Sequence, residues 1–402
     1  MTESLKRRIG LPLLVLYGLG TVVGVGIYAV IGEIAAEAGP FTPLSFAVAA
    51  ILAGFTALSL GELSARYPES AGEAAYVSYA FGSKHLSALT GWMVILSGVV
   101  SAATIARGAV PYVQDFISLD DTLMVILFVV LLGCVASLGV RESATFAAGI
   151  CVLEIVGLFV VIAAGWSSVE TLNPFEATAG YSFSVTAMLS GALLAFYAFI
   201  GFEDMVNMAE EVKDPLRTMP RAILIVLVLS SILYIALAIV LVSAMDYEEL
   251  QGSRTPLASV FEQTSGISGL LISGIGVLAI INGGLVQVIM VSRVIYGLAR
   301  RAQLPSFFTH LNVRTHTPIR ATFFAAFIVL VLAMVGSLTD LANATAMVLL
   351  VVFTLVNASL IRLKLVSSPP EGAPDHPMWI PVVGMVVSAG FVVWKIVELI
   401  KP

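Results

Sequence analysis

Long apolar runs dominate the chain from Leu11 to Ile400, each close to one membrane thickness in length and each ended by a short polar interval. A helix rises 1.5 Å per residue, so about twenty apolar residues cross a hydrocarbon layer roughly 30 Å thick. The pattern predicts eleven membrane-spanning helices, near residues 11–36, 41–64, 86–114, 122–140, 144–166, 184–209, 220–244, 266–298, 319–337, 341–361 and 378–400. The longest polar intervals fall at 65–84, 300–319 and 362–377, and within the first, residues 72–77 read as a short surface helix leading into the third span.

Two spans depart from uniform helix-forming composition. The first carries Gly18, Gly20, Gly24 and Gly26 within nine residues, and the sixth carries Gly191 and Gly201 among Ser190, Tyr197, Glu203 and Asp204. Each glycine costs a helix about 1 kcal/mol relative to alanine, so this density points to unwinding; close helix packing through small residues is the competing reading. Spans one and six are five crossings apart, and an odd number of crossings reverses direction. Residues 1–166 then form one five-helix unit, 184–366 a second of inverted orientation, and 378–400 an additional helix. Interrupted helices at matching positions of inverted units point to a substrate site near the membrane midplane.

Composition sharpens this reading. Only 11% of the 402 residues are charged and 59% are hydrophobic, with a mean hydropathy of +1.01; a soluble globule carries about a quarter charged residues. Lys6, Arg7, Arg8, Arg66, Lys84, Arg141, Lys213, Arg300, Arg320, Arg362 and Lys364 fall on one side of the alternation, which places that side and the N-terminus in the cytoplasm, with the C-terminus outside. The net charge of −6 comes from acids spread over the loops, such as Glu170, Glu176, Asp246, Glu248 and Glu249, and reads as a solvated rim; nothing points to a nucleic-acid partner. The first span has no cleavage site after it and is retained rather than removed as a signal peptide. Cys134 and Cys151 lie at different depths in separate helices and offer neither a disulfide framework nor a metal site.

Several stretches are recognisable. Gly24-Val25-Gly26-Ile27-Tyr28 resembles the glycine motif in the first helix of the amino acid, polyamine and organocation superfamily of permeases. Residues 62–73, ELSARYPESAGE, resemble the loop after the second helix of that superfamily. Phe199-Ile200-Gly201-Phe202-Glu203, followed by residues 210–215 and 220–223, is similar to its sixth helix and exit, and residues 293–300 with Leu304-Pro305 resemble the end of its eighth. The four motifs occur in the family's order and at its membrane depths. Ala71 departs from a common glycine, Arg301-Ala302 from a common Asp-Gly, and the family's twelfth span is missing, which bears on oligomeric state and on the side of the C-terminus. The resemblance implies an all-α polytopic membrane protein with a LeuT-like five-plus-five inverted repeat, discontinuous helices one and six, and permease activity toward amino acids at the cell membrane.

It also implies roles. An amino-acid carboxylate would sit on the backbone N–H groups of Val23, Gly24, Val25, Gly26 and Ile27, in keeping with the attraction of anions to a helix N-terminus. The ammonium would meet carbonyls of Tyr197, Ala198 and Ile200, and the Tyr197 ring would gate the site, unless it is simply packed core. Ser97 and Ser101 on span three, and Gly283 and Gln287 on span eight, share helix faces at a spacing of four and are candidates for the side-chain compartment; Gln287 equally suits a bond between helices. Neither helix supplies an acid, which favours neutral substrates.

Glu154 lies mid-span in the fifth helix, where an ionised carboxylate is costly and functional by default. It aligns with a lysine of proton-coupled relatives and would take up and release the coupling proton; a permanently protonated, hydrogen-bonded acid is the structural alternative. Glu203 is either a second titratable group or part of the inner gate. Arg107 and Arg293 read as structural residues within spans. The rival reading of a membrane enzyme lacks support: His85, His310, His316 and His376 fall in loops with no ligand spacing, and no cofactor or phosphate motif is present. Exchange, uniport and transport of polyamines or other organic amines stand as alternatives to proton symport of amino acids.

Overall fold

Backbone polar groups find no water in hydrocarbon, so a spanning segment pairs them internally as helix. The computed structural model describes residues 7–69, 72–138, 144–171, 183–245, 247–300, 304–312 and 317–400, and within these it contains no strand. Lys6, Ala71, Arg141, Glu176, Asp246, Arg301, Ala302 and His316 lie outside the described residues, as do the side chains of Val25, Glu170 and Glu248.

The chain enters α1 (Leu11–Val22) through Pro12 and resumes after a two-residue break as α2 (Val25–Ala38). A 3-10 turn at Gly39–Phe41 leads into α3 (Thr42–Arg66). The surface helix anticipated near 72–77 is α4 (Gly72–Phe81), followed by α5 (Lys84–Gln114), α6 (Asp121–Ser137) and α7 (Ala144–Thr171). In the second half, α8 (Val185–Phe199) breaks and continues as a 3-10 helix (Glu203–Glu211), and α9 (Pro215–Ala244) follows. The short helices α10 (Tyr247–Gly252) and α11 (Pro256–Ser265) were not anticipated. Then come α12 (Leu270–Arg300), α13 (Ile319–Val335), α14 (Leu338–Val366) and α15 (Trp379–Ile400).

Each anticipated span coincides with one of these helices or broken pairs. Span eight begins at Leu270 rather than 266, because Gly266 (φ 68°) terminates α11. His85 belongs to the first turn of α5, not to a loop, since the Ser83 side chain caps that helix by accepting from the Leu86 N–H at 3.2 Å. Asp120, Ser184 and Ser337 cap α6, α8 and α14 in the same way, each supplying an acceptor to an otherwise orphaned N–H.

Corresponding spans of the two halves meet one another. Helix α2 packs on α8, α3 on α9, α5 on α12 and α6 on α13. Such pairing is what two inverted units produce about a shared pseudo-twofold axis. Helix α15 lies outside this core, against α14 and α3.

The glycines divide between the two functions considered for them. Helix α8 runs unbroken through Gly191, where an added Cβ would stand 2.6 Å from the Ala38 Cβ; this glycine brings α8 against α2. Gly18 likewise makes room for Met205 and Val226, and Gly108 for Ala29. Only Gly24 and Gly201 lie at breaks, so the expectation that all four glycines of span one unwind it is corrected.

Where α3, α14 and α15 converge, Glu62 is fully buried and saturated with donors. Its Oε1 receives Arg66 Nε at 3.0 Å, Arg66 Nη2 at 2.6 Å and Lys364 Nζ at 2.6 Å, and its Oε2 receives the His376 backbone N–H at 2.9 Å. Arg66 also reaches the Ser367 carbonyl, and Lys364 reaches Asp375. Removing one partner from a buried ion cluster is costly because the other charges stay behind. Glu62→Gln should therefore lower the stability of the folded protein by about 3–5 kcal/mol, seen as a fall in the thermal unfolding midpoint in detergent; an unchanged midpoint would show that the cluster does not hold the helices.

Candidate functional site

The two breaks lie side by side. Helix α1 ends as the Val23 N–H closes on the Leu19 carbonyl at 2.7 Å, and the Tyr234 hydroxyl donates to the Val22 carbonyl at 2.8 Å. The Thr21 hydroxyl points at the Gly18 carbonyl (2.8 Å) and across to the Gly201 carbonyl (3.0 Å). On the other strand of the crossing, the Ile200 N–H turns back to the Tyr197 carbonyl (3.1 Å) and the Gly201 N–H donates to Glu203 Oε2 (2.8 Å). Gly201 has φ 124°, and a Cβ there would fall 2.5 Å from the Thr21 carbonyl oxygen; one at Gly26 would fall 2.5 Å from the Ala198 Cα. Both positions exclude any side chain.

A second tie joins the same two elements at their far ends. The Arg8 and Ile9 N–H groups donate to the Glu211 carbonyl at 2.8 and 3.0 Å, and the Lys213 N–H returns to the Ile9 carbonyl at 2.8 Å. Helix α1 and the 3-10 segment are thus fastened to each other above and below.

Helix α2 starts with its first N–H groups, those of Val25, Gly26 and Ile27, unpaired by position, and its N-cap Gly24 has no side chain to satisfy them. Together with the helix dipole these give this helix end positive polarity. Val23 is removed from the predicted set, since its N–H is used by α1, and its side chain and that of Ile27 are buried in the core. Among the predicted carbonyls, that of Tyr197 is engaged by Ile200, whereas Ala198 and Ile200 lie at the open end of α8.

Beside the crossing is a partly open cavity, ≈ 440 Å³ when all the space out to its mouth is counted. Of the predicted residues it brings together Gly26, Ser101, Tyr197, Ile200, Gly283 and Gln287. Tyr197 is 3% exposed, and its hydroxyl lies 3.3 Å from that of Ser101, which fixes the ring against α5. Gly20, Thr21, Ile105, Asp204 and Val286 also line the cavity and were missed. Ile105 and Val286 were discoverable, being four and three residues beyond Ser101 and Gly283 on the same helix faces. Asp204 stood in the acidic pair after Gly201, where only Glu203 was selected.

A second chamber of ≈ 310 Å³ shares Ser101, Ile200, Asp204 and Gln287 with the first and adds Ser97, Glu203 and Glu73. Burial, reinforced by the Asp204 charge, pushes the Glu73 carboxyl on α4 up to about 7.

Glu154 lies on neither cavity. It is fully buried on α7, and both carboxylate oxygens lack a hydrogen-bond partner among the described residues; Asn282 of α12 approaches without closing a bond of good geometry. Its backbone carbonyl accepts the Tyr28 hydroxyl of α2 at 2.9 Å, and the Tyr112 hydroxyl donates to the Tyr28 carbonyl at 2.6 Å. Glu154 is therefore linked to the broken first span rather than to the ligand cavity. Arg107 donates to the Gly336 carbonyl, in keeping with a structural role, and Arg293 is exposed.

Two crossed, discontinuous helices beside a cavity, within paired inverted spans, define the LeuT-like membrane fold. A crystal structure of MhsT in complex with L-phenylalanine has this fold, with a TM-score of 0.66 over 98% of this chain and all of that one, at 13% sequence identity. The chain belongs to the amino acid permease family, whose model matches residues 9–399. It is 33% identical, over 92% of its length, to cationic amino acid transporter 3, mitochondrial, of Arabidopsis thaliana, and 27% identical, over 97% of its length, to the branched-chain amino acid permease BcaP of Bacillus subtilis. It spans 64% of the length of the Arabidopsis relative and 87% of the Bacillus one.

Gly201→Ala and Gly26→Ala should each abolish uptake by reconstituted protein, because a methyl group at either position meets backbone of the opposing break. Gly297→Ala should transport like wild type, since a Cβ there meets nothing within 4 Å. Equal activity of all three variants would show that the breaks do not need close contact.

Proposed function

We propose that the protein is a permease that carries amino acids across the cell membrane by alternating access. The observation that carries this reading is the meeting of two unsatisfied helix ends at one cavity: the N–H groups of α2 opposite the carbonyls at the end of α8. An α-amino acid presents a carboxylate and an ammonium a few ångströms apart, and these ends match them in charge. Gly24, Val25, Gly26 and Ile27 would hold the carboxylate. Ala198 and Ile200 would receive the ammonium, with the Tyr197 ring closing the cavity on the side of α5. The two units 1–166 and 184–366 would rock about this site. The basic side of the alternation would face the cytoplasm, placing the N-terminus inside and Glu203 at the inner gate.

Glu154 would couple this cycle to protons. What supports the assignment is a fully buried carboxylate with no bond to either oxygen among the described residues, its backbone tied to the first broken span through Tyr28. A group used only to join helices would be expected to have its oxygens occupied.

The relatives divide on the side chain, one being named for cationic and one for branched-chain amino acids. The expectation of neutral substrates leaned on α5 and α12, which offer Ser97, Ser101, Gly283 and Gln287 and no acid to the cavities.

Purified protein in liposomes should take up labelled amino acids saturably, and an inward proton gradient should drive their accumulation. Glu154→Gln should lose that accumulation at least tenfold while still exchanging substrate across the membrane. Uptake of amines with none of amino acids would overturn the substrate class, and an unchanged pH dependence in Glu154→Gln would remove the coupling role.

A further inference from the structure

The chamber adjoining the substrate cavity has an unusual balance of charge. Glu73 from α4 and Glu203 and Asp204 from the second break all face it, with Glu73 and Glu203 each only 4% exposed. No ion pair among the described residues involves any of the three. Asp204 is the charge that acts on both of the others, and it alone lines both chambers. Glu203 has one oxygen occupied by the Gly201 N–H.

The uncharged groups around these acids add further acceptors. Ser97 and Thr345 spend their hydroxyl protons on the carbonyls of Val94 and Leu341, each at 2.9 Å, which leaves only oxygen lone pairs facing the chamber. Gln287 Oε1, between the two chambers, is buried and has no donor among the described residues. Several carboxylates without a counter-cation are costly in a low-dielectric site, and the Ser97, Thr345 and Gln287 oxygens beside them can accept further hydrogen bonds. A ligand group that is both cationic and rich in N–H donors answers both deficits.

Resting on the reading of the site as an amino-acid seat, we propose that this chamber is the side-chain subsite and selects amino acids with a second positive charge, of the lysine, ornithine and arginine type. Asp204 is its specificity-determining residue, and Glu73 and Glu203 stand behind it. The side chain leaves the seat between α2 and α8, passes Ser101 and Gln287, and ends its charge on the carboxylates. A neutral isostere fills the same space but leaves the acids unpaired, and a site built for a polar group rejects an analogue that lacks it far more strongly than it distinguishes apolar groups by size.

The test uses the whole protein in liposomes, with labelled L-lysine and its uncharged near-isostere L-norleucine. Wild type should prefer lysine by at least tenfold, and lysine, not norleucine, should raise the thermal unfolding midpoint of the detergent-purified protein. In Asp204→Asn the lysine-to-norleucine preference should fall at least tenfold, and Asp204→Glu should restore part of it. Should Asp204→Asn fail to fold, Glu73→Gln and the wild-type stabilisation by the two ligands give the same decision. Uptake of norleucine with lysine inert, or a preference unchanged in both variants, would overturn the subsite alone. If no amino acid is taken up or stabilises the protein, the amino-acid seat itself is wrong.

Discussion

Everything in the molecule is arranged around one requirement: a backbone interrupted inside hydrocarbon must find partners for the groups that the helix no longer pairs. The two interruptions supply partners to each other. Thr21 from the first reaches the Gly201 carbonyl of the second, Glu203 folds back on the Gly201 N–H, and Tyr234 covers the Val22 carbonyl. After these bonds are made, the groups left over are the leading N–H groups of α2 and the carbonyls where α8 stops. The polarity left at the crossing is the remainder of the bonds that the two breaks exchange.

Two glutamates show how differently the fold treats the same side chain. Glu62 and Glu154 are both fully buried. Glu62 gathers a guanidinium, an ammonium and a backbone N–H, and it ties α3 to α14 and to the loop before α15. Glu154 has no hydrogen bond to its carboxylate among the described residues, although Tyr28 of α2 and Tyr234 of α9 lie near it and Asn282 of α12 comes close. A satisfied network rigidifies, and an unsatisfied buried group holds free energy that a binding or protonation event can release.

The parts legible in the sequence were those written in length and periodicity. The eleven apolar runs coincide with helices or broken pairs among the described residues, which hold eight candidate membrane spans and three shorter apolar helices. The breaks were found from glycine density, but glycine marks two different needs, close approach and unwinding. Gly18 and Gly191 serve the first and Gly24 and Gly201 the second, and only three-dimensional neighbours separate them. Asp204 escaped selection because its importance depends on a chamber formed by α4, α5, α12 and α14 together, which no local spacing encodes. The helices α10 and α11 were hidden because their composition is that of a polar loop, with helix starts at Tyr247 and Pro256 too short to show a period.

The double fastening of α1 to the 3-10 segment Glu203–Glu211 has a mechanical meaning. One tie sits at the crossing, Thr21 to Gly201, and the other at the distal end, where Ile9 and Glu211 exchange backbone bonds with each other's strand. Two rods pinned at both ends cannot slide or scissor independently; they behave as a single girder with one hinge line running through the two glycine-bearing breaks. A movement of α1 therefore carries the 3-10 segment with it, and with that segment the acids Glu203 and Asp204.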